Sequence, residues 1–131
     1  MGTRSLTTFI ATYQENGKYK TYKLAKMYKQ FDGHPERLGL ELAEIIEEAE
    51  YFGFDCLVAT IIANLKKTPG NVRLVRPGIK DVGEDFTYTI KLDKYGKIIM
   101  SCYATIDIQK PKLVFSGTPK DFISKYSYAE L

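Results

Sequence analysis

The densest run of reactive side chains is Tyr28-Lys29-Gln30-Phe31-Asp32-Gly33-His34-Pro35. It holds two aromatics, a cation, an amide, an acid and the chain's one histidine. An aromatic face can stack on a ligand, a cation can clamp an anion, and an amide or carboxylate can read polar edges. Arg4 and Arg37 flank this run in sequence. Each residue also has an ordinary structural role. Arg4 either clamps a phosphate or pairs with Asp32 and locks the ends of a hairpin. Tyr28 and Phe31 have opposite parity on an extended strand, so one faces the core and the other is free to stack unless the strand bulges. Gln30 shares the parity of Tyr28. Asp32 with Gly33 is turn chemistry. His34 is held extended by Pro35 and either meets a ligand or stays at the surface. Arg37 either meets an anion at a helix start or pairs with Glu41 one turn on.

Catalytic and metal chemistry find little else to use. His34 is the single candidate base for a nucleophile, with Asp32 as its acid partner. Cys56 and Cys102 lie in apolar segments with no ligand-spaced partner, which reads as two buried reduced thiols. Gly33 to Gly39 matches neither a phosphate loop nor a dinucleotide fingerprint. Glu41, Glu44 and Glu48 form one carboxylate row without a second cluster, which reads as a solvated face and not a cation site. No cofactor and no metal are expected.

The elements that position these residues can be read from periodicity and turn residues. A strand at 5–13, Asn16-Gly17 and a returning strand at 19–30 make a hairpin. Lys20, Lys23, Lys26 and Lys29 interrupt the second strand, so it is expected at a sheet edge or facing solvent. Leu38, Leu42, Ile45, Ile46 and Ala49 recur at helical spacing opposite the glutamates. A second, more apolar helix is expected at 56–67, capped by Asp55 and ended by Pro69-Gly70-Asn71. Strands follow at 72–76, 85–92, 97–108 and 112–116, the first of them short and the last a weaker candidate. Thr118-Pro119-Lys120-Asp121 then opens a short helix. The order ββ-αα-βββ-α gives an α+β fold. Its antiparallel sheet is expected from the N-terminal hairpin and the C-terminal strands, with two central helices and a short C-terminal helix on one face.

The chain has 131 residues, enough for one domain (1–131) with a real core. No apolar run approaches the ~20 residues that span a bilayer, and no signal-peptide pattern opens the chain. Leu6 stands where N-myristoylation requires Ser or Thr. A soluble cytoplasmic protein with no membrane partner is expected. The net charge of +3 is uneven: residues 36–55 hold seven acids and one base, and the rest 18 bases and nine acids. A cationic body with one acidic helix suits a small anion better than a stable nucleic-acid partner.

Met1-Gly2-Thr3-Arg4-Ser5-Leu6-Thr7, followed by residues 27–35 and a helix from Gly39, resembles a family of small proteins encoded by bacteriophages and large DNA viruses. Members begin Met-Gly-Thr-Arg-Ser and carry a Tyr-Arg-Gln-Phe/Tyr-Asp-Gly-Tyr-Pro segment. The closing Leu113-Val114-Phe115-Ser116-Gly117-Thr118-Pro119 is similar too. Two positions depart: Lys29 replaces the usual arginine and His34 the usual tyrosine. The resemblance implies a viral setting and no particular activity. A compact viral protein without catalytic groups suits immune evasion, by binding and sequestering a nucleotide-derived host signal without cleaving it. Arg4, Tyr28, Gln30, Phe31, Asp32, His34 and Arg37 would form that site, for a cyclic nucleotide or ADP-ribose derivative. A homodimer through the 19–30 strand is expected. The alternatives are a module that blocks a host protein through the acidic helix at 36–50, and a small nucleotide hydrolase using His34.

Overall fold

The computed structural model describes residues 2–76, 78–79, 83–105 and 110–127. Strands β1 (Ser5–Glu15) and β2 (Lys18–Lys29) form the expected hairpin. Asn16 and Gly17 both have positive φ (52° and 78°), which two-residue hairpin turns require. A π-helical turn, Pro35–Gly39, runs into α1 (Leu40–Glu48), and α2 (Gly53–Leu65) follows. Then come β3 (Val72–Val75), β4 (Phe86–Leu92), β5 (Ile98–Ala104), β6 (Lys112–Gly117) and α3 (Pro119–Tyr126). Four strands therefore follow the helices. The expected extension of β5 to residue 108 falls partly outside the described residues.

The α+β expectation holds, with a mostly antiparallel sheet of order β3-β2-β1-β4-β5-β6. One pair differs: β1 and β4 run parallel, with Ser5 opposite Phe86 and Ala11 opposite Leu92. This pair arises because the chain leaves the sheet at β3, crosses β2 and β1, and re-enters beside β1.

The expected edge strand is an edge for only part of its length. β3 pairs with Lys26, Met27, Tyr28 and Lys29, so that the last third of β2 is internal. Residues 18–25 of β2 pair with β1 alone. A bulge opposite Phe9 and Ile10 leaves Leu24 as the extra residue. It shifts parity, so that Lys23 faces away from the helices while Ala25, Met27 and Lys29 face them.

One apolar core lies between the sheet and the helices. Phe9, Ala11, Met27, Tyr88, Ile90, Met100 and Cys102 supply the sheet side. Leu38, Leu42, Ala43 and Ile46 come from the first helical segment, and Leu57, Val58, Ile61 and Leu65 from α2. Phe122 of α3 is fully buried, with its ring 4.9 Å from Phe115 and 5.9 Å from Tyr126. Thr118 caps α3 as read from the sequence: its hydroxyl accepts from Asp121 N, and Asp121 Oδ2 accepts from Thr118 N. Asp55 is inside the first turn of α2 and not its cap; Phe52 holds that position.

On the opposite face of the sheet, Leu6, Thr8, Lys26 and Tyr28 are also buried. Part of the β3–β4 connection lies over them, since Lys26 Nζ donates to the carbonyl of Ile79. Among the described residues no helix is long and apolar enough to cross a membrane.

Candidate functional site

Residues 28–35 form the junction between β2 and the helices, and it is pinned from three directions. Gly33 N donates to Thr3 O at 2.9 Å, and Gly33 O accepts from the Tyr88 hydroxyl at 2.7 Å. The backbones meet so closely that a Cβ on Gly33 would lie 2.9 Å from Thr3 O and 3.0 Å from Ser5 Cβ. Asp32 takes the left-handed conformation (φ 59°), which aspartate tolerates better than most residues. His34 is extended, as a residue before proline should be, and its carbonyl accepts from Arg37 N and Leu38 N.

This junction, α1 and the end of α2 enclose a polar cavity of about 360 Å³. Asp32, Glu36, Arg37, Leu40, Glu41, Glu44 and Lys67 line it. Arg37 Nη2 is 3.8 Å from Asp32 Oδ1. Four carboxylates therefore share the wall with two cations.

A third cation lies behind that wall. Lys29 is only 5 % exposed, on the helix-facing side of β2 beside Ser5. Its ammonium donates to the carbonyl of Phe31 at 2.5 Å. Burial pulls the Lys29 amine below its ordinary value, and the carboxylates of Asp32 and Glu41 partly restore it. Arg37 and Lys67 oppose its charge, so four residues of the cavity wall act on Lys29 electrostatically. The buried hydroxyls of Ser5 and Thr7, on the same face of β1, have no hydrogen-bond partner among the described residues.

The fold brings some of the expected site residues together and parts others. Asp32 and Arg37 line the cavity. Phe31 is 49 % exposed beside it in sequence, with its ring against Gly2. His34 is not in the cavity wall: Nε2 lies 2.8 Å from Thr3 Oγ1, Nδ1 is 3.8 Å from Glu36, and the ring meets Phe86 edge-on at 5.5 Å. Asp32, its expected acid partner, is committed to Arg37 instead. Tyr28 is buried on the far face of the sheet, where Arg73 sits 5.0 Å from its ring centroid. Its hydroxyl donates to Gln30 Oε1. Arg4 forms no ion pair with Asp32; its guanidinium lies near Gly83, and its backbone binds Asp85 and Phe86.

The sequence pattern puts Lys29 on an edge or solvent-facing strand and Lys67 merely at a helix end, and it makes Glu41, Glu44 and Glu48 a solvated row. No local signal marks Lys67, because α2 and its exit turn bring it to the junction. Among the described residues, no group of three or more His, Cys, Asp or Glu is arranged to hold a metal ion. Both cysteines are free, Cys102 buried and Cys56 half-buried. Comparison of the chain with protein-family models, with curated proteins and with solved structures gives no match.

Proposed function

We propose that the protein binds and sequesters a nucleotide-derived signal of an infected host cell at the junction cavity, without cleaving it. The observation that carries this reading is the cavity wall itself. Arg37 and Lys67 in it suit an anionic group, and Glu41 and Glu44 suit hydroxyl and amino edges. The excess of carboxylates narrows the ligand. Several exposed phosphates would be repelled, whereas a cyclic nucleotide or an ADP-ribose derivative offers few charges and many donors. Phe31 is the exposed aromatic nearest in sequence, so stacking falls to it and not to Tyr28.

The test is a thermal shift of the purified protein with cyclic dinucleotides, cyclic ADP-ribose isomers and ADP-ribose conjugates, followed by recovery of the ligand after heating. A large shift with intact ligand is the expected result. Arg37→Ala with Lys67→Ala should weaken binding by about tenfold or more. Both residues are exposed, so the fold should survive their loss. An altered ligand would favour the hydrolase reading, and no shift with any nucleotide would defeat this one.

A second reading has its own observation. The acidic face bearing Glu44, Glu47, Glu48 and Glu50 ends at Phe52, which is 93 % exposed, and Tyr51 is partly exposed beside it. An acidic face with a projecting aromatic suits a basic host protein. Phe52→Ala should abolish capture of such a partner and leave nucleotide binding intact. Self-pairing along residues 18–25 of β2 would set Lys18, Lys20 and Lys23 of two copies against each other, a like-charge arrangement that opposes a dimer there.

A further inference from the structure

We infer that the open sheet face at the hairpin end binds single-stranded nucleic acid, on a surface separate from the junction cavity. The lysines involved are scattered in sequence, and the fold gathers them. Because β1 and β4 are parallel, the β1–β2 turn and the β4–β5 turn leave the same end of the sheet. Lys94 bridges the two turns: its ammonium lies 5.7 Å from the Tyr19 ring centroid and 5.2 Å from that of Tyr95.

Register sets the face. Tyr19, Thr21 and Lys23 alternate on β2 and pair with Gln14, Thr12 and Ile10. Ile10 pairs in turn with Lys91, so Lys23 and Lys91 flank it in one cross-strand row. The row's side is fixed by contact, since the Thr12 and Thr21 hydroxyls meet at 2.9 Å. The helices and the core lie on the other face. Farther along, Thr87, Thr89 and Tyr103 share this side and line a hollow of about 330 Å³.

The exposed side chains have the chemistry of a single-strand platform. Tyr19 is 53 % and Tyr95 77 % exposed, which leaves ring faces for unpaired bases. Lys23, Lys91, Lys94 and Lys97 are all exposed, and none makes an ion pair among the described residues. The acids at this end are already engaged. Glu15 meets Lys20 and the Tyr22 hydroxyl, and Asp93 Oδ1 accepts from Tyr95 N and Lys97 N. A backbone of phosphates supplies the missing negative charge, and its bases supply partners for the tyrosines. A rigid duplex offers charge but no free base faces.

Fluorescence anisotropy with a labelled oligothymidylate of about 12 nucleotides tests this at about 50 and 200 mM salt. The full chain should bind at the lower salt and weaken steeply at the higher. Tyr95→Ala and Tyr19→Ala should each weaken binding by about tenfold. Heparin, which has charge and no bases, should be bound equally by both variants and the parent. Lys23→Gln with Lys91→Gln should lower the slope of log affinity against log salt by about 1.4. Arg37→Ala with Lys67→Ala should change nothing, which separates this site from the junction cavity. No binding at the lower salt overturns the inference. So does binding that Tyr95→Ala leaves at parental strength, because that would be simple cation exchange. Tyr95 is exposed enough that its loss leaves the fold intact, so that variant decides even where Tyr19→Ala unfolds.

Discussion

The Tyr88 hydroxyl, fully enclosed in the core, donates a 2.7 Å hydrogen bond to the carbonyl oxygen of Gly33. It thereby ties the fourth strand to the turn in front of the helices. Burial pushes this phenol far above its ordinary range, and the neighbouring Cys102 thiol pushes the same way, so it stays a donor at any pH the protein survives. Tyr88→Phe keeps the ring and leaves the Gly33 carbonyl buried without a partner. The expected cost is about 1–3 kcal/mol by urea denaturation, with little change in the core spectrum. Parental stability would show that water replaces the hydroxyl.

Gly33→Ala attacks the same junction from the other side. The added methyl meets the backbone of Thr3 and Arg4, which cannot swing away as a side chain could. We expect about 1–3 kcal/mol of destabilisation. A methyl at Gly17, whose Cβ would meet nothing within 4 Å, would be strained only through its positive φ. Comparing the two variants by thermal melting separates close approach from backbone strain.

Lys29 gives the stability a pH dependence of known sign. Its folded value lies below 10.5 because burial disfavours the charged amine. Below that folded value, both states hold the proton and the folded state bears the whole burial penalty. Between it and 10.5 the folded amine is neutral while the unfolded one is still charged, so stability rises with pH. Lys29→Met removes this rise. The gap in melting temperature between variant and parent should shift in favour of the parent from pH 7 to about 10. A gap that stays constant would mean that the amine is solvated.

Cys102 should be silent toward thiol reagents and Cys56 should react. Burial raises the Cys102 thiol to about 12 from an ordinary 9.0, with a smaller opposing effect from the Tyr88 hydrogen bond. A folded value above the unfolded one means stability that is intact below 9.0 and is lost as pH rises toward about 12. An aromatic disulfide reagent should titrate one thiol in the native protein and two in denaturant. Two fast thiols in the native state would place Cys102 outside the core.

Much of the local chemistry was readable, although the cap expected at Asp55 lies inside α2. The Asn16-Gly17 turn, the amphipathic spacing of Leu42 and Ile46, and the Thr118–Asp121 capping box depend on residues within a few positions of one another. The lysines of β2 were not readable. Spaced three apart, they would alternate faces on a regular strand, but the bulge at Leu24 puts Lys23 and Lys26 on one face, and β3 flanks only Lys26 and Lys29, which are buried while Lys23 is exposed. The junction was legible as a strand-to-helix turn, but its ion pair was not: Asp32 reads as a partner of Arg4 and Arg37 as a partner of Glu41, whereas Arg37 Nη2 lies 3.8 Å from Asp32 Oδ1. Tyr28 parted from Asp32, although the two positions share parity, because the strand ends at Lys29 and the left-handed turn at Asp32 redirects the chain toward the helices. Lys67 was invisible because its proximity depends on how α2 packs. The parallel pairing of β1 with β4 was equally hidden, since a long crossover leaves no periodicity in either strand.

That pairing also fixes the order in which the molecule can be built. β1 is bonded along both edges, yet one of its neighbours follows it after two residues and the other only in the second half of the chain. During synthesis the hairpin and both central helices are available long before β4 is. Until β4 arrives, the strand at the centre of the finished sheet is a bare edge, offering its amides and carbonyls to any extended chain nearby. Closing so distant a contact is slow. The nascent first half must therefore be shielded or short-lived, and a chain cut after β3 would leave that edge open for good.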